Sequence, residues 1–240
     1  MCWSFGASAI LAIIGLAVAL YLAFKKRSAS LWVPIGYFAL MEVIQAATYL
    51  VLNDCSSPAN QLLTFLGYIH VVFQPFFINM FTMYFIPKKT RDKIYGYVYA
   101  VCFICTVLML IKLYPFDWAG TCVPGVDGMC GTTICSVSGN WHLAWNIPFN
   151  RISMRFLLSP YMFAMFILPL IYGAWRIVLY GVAFGLIPTY FLTSNINERP
   201  TVWCLLSIVL MLAVFIKPVM KWLHARKWYF WDYPISRKRL

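Results

Sequence analysis

Charge is scarce in this sequence, and acid scarcer still. Of 240 residues, 11% are charged and seven are Asp or Glu. Soluble domains carry about 25% charged residues. With 62% of the chain hydrophobic and a mean hydropathy of +0.77, too little polar surface remains to clothe a globule. The composition excludes an ordinary soluble domain and points to an integral membrane protein. Other absences narrow the chemistry. There is no Gly-rich phosphate cradle, no His-Glu-x-x-His and no Gly-x-Ser-x-Gly. The usual sequence marks of nucleotide hydrolysis, zinc proteolysis and serine hydrolysis are therefore missing. No basic segment precedes the first apolar run, so a retained first span is expected rather than a cleaved leader. A retinal pigment needs a lysine deep in its last span, and the only candidate, Lys217, lies near the end of that run. The sequence leaves the cofactor open.

What is there is a series of apolar runs. Seven occur, at about 3–24, 31–52, 61–86, 95–114, 153–173, 177–194 and 200–219. Each is near the roughly 20 residues that a spanning helix needs. Runs five and six are divided only by Gly173-Ala174-Trp175-Arg176, which requires a tight turn; a kinked or re-entrant pair is the alternative. The expected fold is an all-α membrane protein. Its seven-transmembrane helix bundle covers 1–219, with a cysteine-containing exoplasmic loop at about 115–152 and a basic, aromatic cytoplasmic tail at 220–240.

Basic residues orient the bundle, because they collect on the cytoplasmic side. Lys25, Lys26, Arg27, Lys88, Lys89, Arg91, Lys93, Arg176 and seven tail cations, counted from Lys217, fall on one side. Lys112, Arg151, Arg155 and Arg199 fall on the other. The N-terminus is then exoplasmic and the C-terminus cytoplasmic. The net charge of +12 reads as topology, and no nucleic-acid partner is expected. The partner implied is the lipid bilayer, whose headgroup layer suits the mixed cations and aromatics of Lys221 to Tyr233.

Five of eight cysteines lie outside on this topology: Cys2, Cys55, Cys122, Cys130 and Cys135. An oxidising compartment permits disulfides among the last four, with connectivity left open. Alternation on both sides of Ser138-Gly139-Asn140 predicts a short β-hairpin in the long loop. That loop is expected to fold over the outer mouth. Trp141, His142 and Trp145 then either face the interior or seat the loop at the interface.

Glu42 is the one acid inside a membrane-length run. A carboxylate at mid-bilayer costs several kcal/mol even on lenient scales, and such residues normally turn to a protein interior and carry function. Gln45 and Tyr49 share its helical face at i+3 and i+7. In the third run His70 and Gln74 share a face, followed by Pro75 and Asn79. Counted from the run ends, Glu42 is roughly 15 Å and His70 roughly 14 Å below the outer boundary, so a direct Glu42–His70 pair is expected. Such a pair suits a proton relay or general acid/base work. It is too small a ligand set for a metal without His142 or a cysteine. The bland reading is a satisfied structural network. Cys2, Trp3, Ser4, Ser8, His142, Trp145 and Arg155 are the expected lining of the outer mouth.

The opening Met1-Cys2-Trp3-Ser4, the Met41-Glu42…Gln45 motif and the His70…Gln74-Pro75 motif resemble an uncharacterised seven-span family. Its members begin Met-Cys-Trp and occur in bacteria and large DNA viruses. The resemblance implies that Cys2, Glu42, Gln45, His70 and Gln74 act as one unit, and it implies no reaction. The expected function is binding or translocation of a small molecule or proton at a Glu/His/Gln site open to the exoplasmic side. An embedded enzyme using Glu42 and His70 on an apolar or lipid substrate, and a structural or partner-binding role, are the alternatives.

Overall fold

The protein is described by a computed structural model, which covers residues 3–152, 159–225 and 228. Four long helices come first: α1 (Phe5–Phe24), α2 (Ala29–Tyr49), α3 (Pro58–Thr82) and α4 (Lys88–Ile111). A loop with a two-stranded hairpin follows, β1 (Cys135–Ser138) and β2 (Leu143–Asn146). Then come α5 (Pro160–Ile171), α6 (Trp175–Leu192), α7 (Arg199–Ala213) and α8 (Lys217–Leu223). Five of these, α1–α4 and α6, are long and apolar enough to cross a membrane. The α7–α8 pair passes that test jointly but bends by 102°. α5 is a shorter apolar helix, and the start of the expected fifth run, 153–158, lies outside the described residues. Most of the 220–240 tail does too.

Small residues let the first helices approach closely. Ala12, Gly15 and Ala19 form the buried face of α1. A Cβ on Gly15 would sit 2.7 Å from the Ala39 Cβ. Such small-residue seams are how apolar helices gain van der Waals contact. Pro75 breaks the α3 ladder, and side chains serve the nearby carbonyls. Tyr37 donates to His70 O at 2.6 Å, Thr106 to Val72 O at 3.0 Å and Asn79 to Pro75 O at 2.8 Å.

Helices α5 and α6 share a defect. Phe163–Ile167 and Val182–Leu186 are π-helical turns, and each is followed two residues later by Pro169 or Pro188. A proline has no N–H and clashes with the carbonyl four residues back. The local widening is the response: Leu168 N–H reaches Phe163 O, and Ile187 N–H reaches Val182 O. The turn expected at Gly173 is present, with φ 98°.

The hairpin forms where the alternation predicts, Cys135 opposite Asn146 and Ser138 opposite Leu143. Two disulfides hold the loop, Cys55–Cys135 and Cys122–Cys130. Asn60 in α3 pairs with β1 like a backbone unit: its Nδ2 donates to Ser136 O and its Oδ1 accepts from Ser136 N, at 2.9 and 2.8 Å. Trp145 lies flat against α3 at Gly67, where a Cβ would stand 2.8 Å from the indole.

Candidate functional site

Glu42 sits in the middle of α2 with no exposed surface, and neither carboxyl oxygen has a hydrogen-bond partner in the protein. Ser8 of α1 lies beside it, and Cys204 of α7 and Tyr49 fall within its electrostatic reach. One helical turn away, Gln45 is equally buried. Its Oε1 accepts from His142 Nε2 at 2.7 Å, while its Nε2 has no protein partner. The Tyr49 hydroxyl closes the chain on His142 Nδ1 at 2.5 Å. With Nε2–H donating and Nδ1 accepting, His142 is a neutral imidazole. Burial agrees, pushing its pKa down to about 3. The hairpin loop therefore delivers His142 into the helix core.

Above this group lies an aromatic cap. Trp3 stacks on Trp141 with centroids 5.7 Å apart, and its indole N–H donates to Ser8 Oγ at 2.9 Å. Ser4 has a different job from the one expected. It is exposed and caps α1, accepting from Ala7 N at 3.4 Å. Trp145 is 1% exposed and packs inward on Gly67 rather than lining a mouth. Cys2 and Arg155 lie outside the described residues.

The structure does not pair Glu42 with His70. His70 Nε2 bonds Tyr37 O at 2.8 Å and the ring stacks on Tyr37 with centroids 3.9 Å apart. The reason is register. α2 ends at Tyr49, seven residues beyond Glu42, whereas α3 begins at Pro58, twelve residues before His70. A five-residue offset puts His70 roughly 7.5 Å deeper. The second apolar run ends at 52, beyond Tyr49, and the third begins at 61, inside α3, so counting from the runs hid the difference. Gln74 joins another group: its Nε2 donates to Cys204 Sγ at 3.2 Å, and its Oε1 accepts from Tyr161 at 2.5 Å. The Trp203 indole in turn donates to Tyr161 Oη at 2.7 Å. Cys204 thus bonds Gln74 and lies within electrostatic reach of Glu42; of the expected site residues, Glu42, Gln45 and Tyr49 share one group, Gln74 belongs to a second, and His70 belongs to neither.

Glu198 was missed by sequence reasoning. It lies between α6 and α7, where an acid reads as solvated, yet it has no exposed surface. It accepts from the backbone N–H groups of Asn140, Trp141 and His142 and from the Thr193 hydroxyl. This carboxylate fixes the tip of the hairpin over the core. A Cβ on Gly139 would stand 2.6 Å from its Cδ, so the clamp requires glycine there. The Ser-Gly-Asn turn was legible, but nothing in the sequence linked it to an acid 58 residues on.

A cavity of about 690 Å³ opens on the other side of Tyr161 and Trp203. Glu42, Gln45, Tyr49, His70 and Gln74 do not line it. Among the described residues no cluster of three or more His, Cys, Asp or Glu suits a metal ion.

Fold and site define a helical protein with several apolar helices, a disulfide-tied loop and a buried carboxyl close to it. The chain belongs to a family of unknown function, DUF5765, whose family model covers residues 6–224. No curated protein and no solved structure matches it.

Proposed function

We propose that this is a multi-pass membrane protein that takes up a proton at Glu42, from the side on which the hairpin lies. The observation that carries it is the set of orphan atoms, Glu42 Oε1 and Oε2 with Gln45 Nε2, buried on one face of α2. Each unsatisfied buried polar group costs about 1–3 kcal/mol, and an isolated carboxylate far more. A set that lacks protein partners calls for something else to supply them. Two acceptors and one donor together suit a proton and a small polar molecule such as water. A bare cation would serve Glu42 and leave Gln45 unserved. Tyr49, His142 and Gln45 provide hydrogen-bonding groups from the half-buried Tyr49 toward Glu42.

Seven crossings, with the N-terminus and hairpin exoplasmic, complete the reading. α1 to α7 supply the crossings, and the orientation is supported by Lys25, Lys26 and Arg27 between α1 and α2, by Lys88, Lys89 and Arg91 at the start of α4, and by Arg176 at the start of α6. The acid/base enzyme has less support, because a substrate in the 690 Å³ cavity would meet neither Glu42 nor His70.

Infrared difference spectra of the reconstituted protein between acid and alkaline pH test the proposal. A carboxylic acid band should titrate in the wild type and be missing from Glu42→Gln, with the fold retained. A wild-type spectrum without such a band, or one unchanged in Glu42→Gln, would sink the proton role.

A further inference from the structure

We infer that the 690 Å³ cavity is a second site, separate from Glu42, and that it binds an anionic amphiphile: one carboxylate or phosphate head on one apolar chain. Its volume is in the range that encloses a drug-sized molecule. The described lining joins two kinds of chemistry. Val71, Met109, Phe166, Leu186 and Trp203 supply an apolar part, which suits a hydrocarbon chain. Arg151 and Arg199 supply a cationic part, beside Lys112 and Asp127, which have partners of their own.

Arg199 is the anchor of the cationic part. It opens α7, so the partial positive charge of that helix terminus adds to its own. Its guanidinium is held over the Tyr190 ring at 4.4 Å, and its buried Nε has no protein partner. The adjacent Glu198 does not neutralise it, because that carboxylate is turned to the hairpin N–H groups. A planar guanidinium fixed by stacking is suited to a carboxylate or phosphate.

The backbone gives independent support. Phe166 and Leu186, both in the apolar lining, each belong to one of the two π-helical turns. Such turns re-aim side chains and cluster at functional sites. The outer wall is held in place as well: the Cys122–Cys130 disulfide closes the segment that supplies Val126, Asp127 and Gly128.

The test is equilibrium binding of radiolabelled oleate, beside uncharged oleyl alcohol, to the full chain in phosphatidylcholine nanodiscs. Oleate should bind at least about tenfold more tightly than the alcohol, a difference of about 1.4 kcal/mol. Arg199→Gln should weaken oleate by about tenfold or more and leave the alcohol unchanged. Leu186→Trp, which fills the apolar part, should remove both. A thermal melt of each variant checks folding, and if Arg199→Gln does not fold, the exposed Arg151→Gln takes its place with the same expectation. An outer-leaflet lysophospholipid and a free fatty acid share this chemistry. Oleoyl lysophosphatidate as competitor separates them, since displacement of oleate assigns the leaflet source and failure to displace assigns the free acid; both keep the site. Equal affinity for acid and alcohol, wild-type oleate binding in the folded arginine variant, or full binding in Leu186→Trp would overturn it.

Discussion

The two sides of this molecule handle the same scarcity of polar groups in opposite ways. On the side of α1, α2 and α7, packing is close enough that a Cβ on Gly15 would meet both Ala39 and Ile208. There the chain buries an acid and an amide whose atoms lack partners, under a clamp of aromatic rings. On the side of α4, α5 and α6, two helices carry prolines and π-turns, and a cavity of about 690 Å³ opens beside them. The packed side has unsatisfied groups and little room, which suits something the size of a proton. The roomy side has cations around an apolar pocket, which suits a larger amphiphile. Tyr161 and Trp203 belong to both: they line the cavity, while Tyr161 donates to Gln74 and Trp203 donates to Tyr161.

The disulfides give the largest handle on this contrast, because each serves one side. Cys55–Cys135 spans 80 residues and holds the hairpin that delivers His142. Cys122–Cys130 spans 8 and braces the cavity wall. If chain entropy dominates, opening the first should cost about 4.5 kcal/mol and the second about 2.5 kcal/mol. Chemical denaturation of Cys55→Ser/Cys135→Ser and Cys122→Ser/Cys130→Ser in detergent measures both. The first pair should also lose the Glu42 infrared band while keeping oleate binding, and the second should do the reverse. Coincident loss of both properties in either variant would show that the two sides are one unit.

A smaller effect comes from pH. His142 in the hairpin is neutral and buried, with its pKa pushed down to about 3, against about 6.5 in the unfolded chain. Between those values the unfolded chain binds the extra proton. Stability on this account is fully present above about pH 6.5 and declines as pH falls toward 3, by a few kcal/mol at the limit. Melting temperatures between pH 7 and pH 4.5 should fall in the wild type and fall less in His142→Gln. The amide retains hydrogen-bonding capacity toward Tyr49 and Gln45. A variant with the wild-type slope would place the acid sensitivity elsewhere.

These contrasts were unevenly legible in the sequence. The first four helices and the hairpin follow from hydrophobic run length and alternation, and the four bonded cysteines were among those expected to pair. Glu42 stood out because an acid in an apolar run is costly. Its partners did not, since helix register depends on where each helix ends, which the edges of an apolar run do not fix. Five residues of slack moved His70 from Glu42 to Tyr37. Glu198 and the Arg199 anchor were hidden for a different reason. A Glu-Arg pair in a short connection reads as solvated charge, and only the tertiary fold turns one toward the hairpin and the other toward the cavity. Pro169 and Pro188 announced distortion, but nothing local announced the cavity beside it.

The smallest expected effect is a control on the cause of the contrast. α1, on the packed side, and α5, on the roomy side, each begin with a serine cap. Ser4 Oγ accepts from Ala7 N at 3.4 Å, and Ser159 Oγ accepts from Met162 N at 3.3 Å. Both serines are exposed, so neither substitution opens a void. Replacing such a cap by alanine costs about 0.5–2 kcal/mol, and these long bonds place both near the low end. If the sides differ in packing rather than in the intrinsic quality of their helices, Ser4→Ala and Ser159→Ala should cost the same within about 0.5 kcal/mol. Ser8→Ala, one turn along α1, should cost more than either, because it strands the Trp3 indole N–H and removes the hydroxyl beside Glu42. Denaturant titration of the three variants under one condition decides it. A Ser159→Ala loss well above that of Ser4→Ala would mean that α5 depends on its own first turn, and that the sides differ in the intrinsic quality of their helices rather than in packing alone.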